Sequence, residues 1–182
     1  MRRISHLIVN LCVSILWRLR PRPQTPQHTS PSPIVSDDKA EESSERQALR
    51  ALIRRFPYWI KGRALLAKLS LEANDVATAY AEAQSLLALA PKNSHYHAVG
   101  LFELGRCFLR RGDAASALAF LEQAHELSPS DSKIQEERSA ALVLQGDKAR
   151  ALEILKTISP AELSAEGKAA LQWLSPDGNA CQ

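Results

Sequence analysis

The stretch AVGLFELGRCFLRRGDAASALAFLEQAHELSP, residues 98–129, decides how this chain is read. Two apolar-periodic segments flank Gly112-Asp113, and Pro129 closes the second. Leu101, Leu104 and Phe108 recur at spacings of three and four, which lays them on one helical face. Gly112 suits a left-handed turn. Asp113 can cap the following helix by accepting from its first free N–H groups. Pro129 stops that helix. The unit is a helix, a tight turn and a second helix.

The unit recurs. Asp75, Asp113 and Asp147 superpose at intervals of 38 and 34 residues. The residue before each is Asn74, Gly112 or Gly146, all suited to the turn. Four residues after each stands an alanine, Ala79, Ala117 or Ala151, small where two helices would cross most closely. Pro91 and Pro129 end the second helices of the first two units. Each feature alone is an ordinary helix end or core alanine. Their joint recurrence is the signature of a repeat array.

In Leu101, Leu104-Gly105, Phe108, Gly112, Ala117, Leu121, Ala124 and Pro129 the central unit resembles the tetratricopeptide (TPR) repeat, a helix–turn–helix unit. The preceding unit keeps Leu66-Ala67, Ala79 and Pro91 and departs at Arg63, Ser70 and Ala83. The following unit keeps Leu142, Gly146, Ala151, Leu155 and Ile158 and departs at Arg138 and Ser139. Residues 44–59, SERQALRALIRRFPYW, look like the second helix of a degenerate earlier unit ending at Pro57. The resemblance spans residues 44–163. It implies an all-α fold, an α-solenoid of about three TPR helix pairs with a degenerate N-terminal half-unit and a C-terminal capping helix. Ser159-Pro160-Ala161-Glu162 has the form of a capping box and is expected to open that last helix, with Leu163, Ala170, Leu171 and Leu174 on its apolar side.

Four regions follow. Residues 1–20 form a basic apolar segment, residues 21–36 a proline-rich linker, residues 37–175 the repeat domain and residues 176–182 a flexible tail. In residues 4–19, ISHLIVNLCVSILWRL, apolar side chains fall at helical spacing. The charge-free run from Ile4 to Trp17 would rise only about 21 Å, against a hydrocarbon core of about 30 Å. Arg2, Arg3, Arg18, Arg20 and Arg22 flank it. A short membrane anchor, an in-plane amphipathic helix, a cleaved organelle presequence and an ordinary core helix all fit this pattern. The expectation is a membrane-associated protein of bacterial type. Prolines 21, 23, 26, 31 and 33 make the following segment an extended tether.

Residues 1–36 carry five arginines and no acid, whereas residues 37–182 carry 18 basic and 20 acidic residues. A body so near neutrality is a poor general nucleic-acid binder. Seven glycines and 5% aromatics argue against barrels and glycine-rich nucleotide folds. Cys12, Cys107 and Cys181 are too dispersed for a disulfide framework or a cysteine metal site. No phosphate loop or metalloprotease motif occurs. His95 and His97 are expected to be solvated in the connection after Pro91, His125 on the exposed side of a second helix, and Glu136-Glu137 in solvent. Cys107 reads as a buried small side chain. No catalytic residue, metal or cofactor is assigned.

The family resemblance places the first helix of each unit on a concave, ligand-binding face. Carried over by position, the groove residues are Lys61, Ala64 and Lys68, then Val99, Phe102, Arg106 and Arg110, then Lys133, Glu136 and Ala140. Cations around Phe102 would suit an acidic or C-terminal-carboxylate peptide. Lys68 and Arg106 stand where the family's carboxylate clamp has asparagine, so that clamp is not expected. The function implied is a non-catalytic interaction module or scaffold. The alternatives are an accessory subunit of an enzyme and an RNA-binding helical repeat.

Overall fold

The computed structural model describes residues 44–175, and these form eight helices. They are α1 Ser44–Arg55, α2 Ile60–Glu72, α3 Val76–Leu89, α4 His95–Arg111, α5 Ala114–Leu127, α6 Ser132–Gln145, α7 Lys148–Thr157 and α8 Ala165–Leu174. The expected anchor, linker and tail lie outside the described residues.

One turn chemistry builds all three hairpins. At the ends of α2, α4 and α6 the chain enters the left-handed region at Asn74 (φ 60°), Gly112 (φ 80°) and Gly146 (φ 88°). The next N–H, that of Asp75, Asp113 or Asp147, donates back to Ser70, Phe108 or Leu142 at 2.7–3.0 Å. This bond satisfies a carbonyl that the helix end would leave open. The same aspartate caps the next helix, its carboxylate accepting from the N–H of Thr78, Ser116 or Arg150. One residue thus closes one helix and opens the next.

The paired helices then close on small residues. Ala79, Ala117 and Ala151 are completely buried, as the repeat reading requires. On the facing helix Gly105 admits Leu121, and a Cβ there would stand 2.6 Å from the Leu121 Cγ and 3.3 Å from the Ala117 carbonyl. A chain of aromatics runs from one pair into the next. Tyr80 of α3 meets the Phe108 ring edge to face at 6.0 Å, and Phe108 stacks on Phe120 of α5 at 5.3 Å. Cys107 is buried between α4 and the previous pair, against Leu71 and Ala79. Burial is the main reason its thiol is pushed up to about 11, which keeps it an unreactive apolar side chain.

Each helix packs on the next in sequence, and α2 also touches α4, as α4 touches α6. Helix α1 covers the first pair through Leu49 and Ile53, which cluster with Leu66. Its buried Arg46 reaches Asp75 at 3.4 Å, and Arg50 reaches Asp75 at 3.3 Å and Thr78 at 3.0 Å. Arginine-to-cap pairing therefore attaches the half-unit to the first full pair.

The last helix starts later than its sequence suggests. Residues 160–162 form a turn, with the Glu162 and Leu163 N–H groups donating to the Ser159 carbonyl, and Ser164 is the cap of α8. The turn drops Leu163 into the cluster with Leu155, Ile158, Ala170, Leu171 and Leu174. Its burial outweighs the capping box. The start of α4 is displaced the other way. Ser94 caps it through the His97 N–H, so His95 and His97 occupy a first helical turn and not a connection. His95 is exposed and His97 half-buried.

The face shared by the first helices

Each hairpin reverses the chain, so α2, α4 and α6 run parallel and share one face. Lys61 and Lys68 of α2 and Lys133 of α6 are exposed on their helices, while Ala64, Val99, Phe102, Arg106, Arg110, Glu136 and Ala140 are half-buried. The expected residues are thus brought onto three neighbouring helices, but they are not alike in what they offer.

The middle of the face is a closed charge network. Arg106 donates to Glu103 on its own helix at 3.0 Å and to Glu137 of α6 at 3.2 Å. It also lies 5.5 Å over the Phe102 ring. Glu103 is only 3% exposed. Burial raises its carboxyl pKa and that of Glu137, against the pull of Arg106. For Arg106, burial would lower the pKa, but Glu103 and Glu137 outweigh it and the guanidinium is held more firmly charged. Arg106, expected as a groove cation, is thus also tied by its Nη1 and Nε groups into the fold's own charge network.

The expected solvation of Glu136-Glu137 is corrected. Glu137 holds Arg106. Glu136 accepts from the Ser164 N–H at 2.8 Å and from the Ser164 hydroxyl. A Cβ on Gly167 would stand 2.9 Å from the Glu136 carboxyl carbon, so the glycine leaves that carboxylate its place at the start of α8. Glu136 is a fastening between α6 and the capping helix, not a free groove residue. His125 is likewise half-buried and not exposed, and burial lowers its pKa.

The sequence reading missed Glu103 and the Glu103–Arg106–Glu137 link. Two signals could have found them. Glu103 stands three residues before Arg106 on a helix. Glu103 and Glu137 also occupy the same place in successive repeats, and equal register on adjacent parallel helices makes them neighbours. Arg63 hides a similar pair, donating to Glu82 of α3 at 2.6 Å and to the Pro57 carbonyl.

Nearer the N-terminal ends of the first helices the face is open. His95, Ala98, Val99 and Phe102 of α4 border a shallow crevice whose other side is Asp131 and Ile134. Lys61 and Lys133 lie in the first turns of the helices on either side, where the unpaired N–H groups already favour anions. Lys68, further along, pairs with Glu72 at 3.8 Å. Among the described residues no cluster of three His, Cys, Asp or Glu side chains could hold a metal, and no helix is long and apolar enough to cross a membrane.

The tetratricopeptide repeat signature matches residues 108–174, from the end of α4 through α8. Over that stretch the chain carries tetratricopeptide repeat sequence. Its architecture is similar to that of MamA, with a TM-score of 0.59 at 14% identity over 71% of this chain and 74% of that one. It is similar to the thermophilic TPR protein TTC0263 of Thermus thermophilus, with a TM-score of 0.61 at 20% identity over 71% of this chain and 70% of that one. At these identities the likeness is one of fold. No curated protein matches the chain in sequence. The TPR solenoid is an architecture of protein–protein interaction, and in this chain its shared face is built by α2, α4 and α6.

Proposed function

We propose that the chain is a non-catalytic scaffold that holds a segment of a partner protein on the face of α2, α4 and α6, while residues 1–20 keep it at a membrane. The observation that carries this reading is the unequal use of that face. In its middle Arg106 is paired with Glu103 and Glu137, whereas Lys61 and Lys133 are exposed in the first turns of the helices on either side of Val99 and Phe102. An apolar side chain of the partner would enter the crevice, and acidic groups on either side of it would meet the two lysines. The preference for an acidic segment belongs to this end of the face and not to Arg106. The tether reading rests on the basic apolar composition of residues 1–20 and the proline-rich segment after it.

Charge reversal at Lys61, Lys68 and Lys133 tests the recognition surface. These side chains are exposed, so the triple glutamate variant should melt within a few degrees of the parent while losing the partner in pull-downs. Unchanged capture would move recognition off this face. Deleting residues 1–20 should release the protein from the membrane fraction, and unaltered fractionation would remove the tether.

A further inference from the structure

The end of the array that begins with α1 carries a second surface, which meets the groove at Lys61. Among the described residues, the exposed large apolar side chains gather within residues 52–65. Leu52 is 42% exposed, Phe56 54%, Tyr58 80%, Trp59 37% and Leu65 39%. Three of the five are aromatic and sit in the turn joining α1 to α2. Trp59 is folded over Gly62, where a Cβ would come within 2.2 Å of the ring, so the indole is seated on the first turn of α2.

The stretch of sequence that carries this patch has charge of one sign. Residues 46–71 hold seven cations and no carboxylate. Arg46 and Arg50 are directed to Asp75, Arg63 to Glu82 and Lys68 to Glu72. Arg54, Arg55 and Lys61 are exposed beside the aromatic turn, with Arg55 5.8 Å over the Phe56 ring. Such a surface selects its occupant. A second copy docked patch to patch would oppose like charges. Residues 1–20 carry four arginines and no acid, and would meet the same repulsion. An anionic bilayer supplies the complementary sign. Tyrosine and tryptophan favour the headgroup zone, where the ring is buried and its polar edge stays wet. An exposed aromatic turn at the array end suits insertion among headgroups.

We infer that the turn at residues 56–59, flanked by Arg54, Arg55 and Lys61, is a second membrane contact that seats the first end of the solenoid on an anionic bilayer. The inference rests on the reading that residues 1–20 bring the chain to that membrane. Each cation near such a surface strengthens attachment about fivefold. Anchored at two places, the array would lie against the bilayer in a fixed orientation.

The test uses the full-length chain with Trp17→Phe and Trp173→Phe, which leaves Trp59 as the one indole. Vesicles of phosphatidylcholine and phosphatidylglycerol carry brominated acyl chains. The chain should float with the vesicles, and Trp59 emission should shift to the blue and be quenched. Arg54→Glu, Arg55→Glu and Lys61→Glu together should leave flotation by residues 1–20 and circular dichroism unchanged and abolish the quenching. Flotation with Trp59 unquenched would overturn the second contact while leaving the tether standing. Quenching that survives the three reversals would also overturn it. Emission already blue-shifted without vesicles would assign the patch to a cover from the chain itself or from a second copy. A blue shift with soluble polyglutamate and none with vesicles would assign it to an acidic polypeptide. Failure to float would remove both the tether and the contact.

Discussion

At the residue scale the decisive side chain is Arg106. Its neighbours are two carboxylates whose pKa values burial has already raised, so each is costly to ionise and depends on the guanidinium. Arg106→Met keeps the bulk and removes the charge. The variant should lose about 2 kcal/mol at neutral pH, less than a fully buried pair because Arg106 keeps some solvent contact. The pH dependence has a definite sign. Without Arg106 the folded-state pKa values of Glu103 and Glu137 climb further above their unfolded value of 4.5. A raised carboxyl pKa leaves full stability below the unfolded value and removes it as pH rises through the folded one. The variant's deficit should therefore be larger at pH 7.5 than at pH 5, as measured by urea unfolding. An equal deficit at both would mean that the network is not what Arg106 supports.

At the scale of the elements, stability comes from close approach within each hairpin. Gly105 lets α5 lie against α4, with Leu121 in the space a Cβ would take. The nearest atom is the Leu121 Cγ and not the end of a flexible chain, and the Ala117 carbonyl stands behind it. Gly105→Ala should therefore destabilise by about 2 kcal/mol through overpacking, despite the better helix propensity of alanine. A thermal melt at or above the parent value would show that the helices can separate freely. The turns and caps were legible in the sequence because they depend on local chemistry. An aspartate after a left-handed residue has few other uses. The helix starts were less legible. Ser159-Pro160-Ala161-Glu162 has the local form of a helix opening, yet burying Leu163 in a tertiary cluster decided that the chain turns first. At α4 the opposite happened, and Ser94 extended the helix through both histidines.

At the scale of the whole molecule, the parallel first helices turn sequence register into neighbourhood. The period of the repeat announced the solenoid, and the alanines at its closest crossings are buried as that period demands. Which residues fall on the three first helices was legible for the same reason. Their chemical availability was not, because it depends on which charges meet across adjacent repeats. Arg106 and Glu136 both face partners about one repeat away, and each is occupied by structure. What the face leaves open is the end around Val99 and Phe102, and the proposed recognition of a partner falls there. The most direct test is site-specific photocrosslinking in the native cells. A benzoylphenylalanine at position 102 should attach the full-length chain to a discrete partner, while the same probe at Gln123, on the exposed surface of α5, should not. A partner captured from position 123 and not from position 102 would contradict the assignment of binding to the face of the first helices.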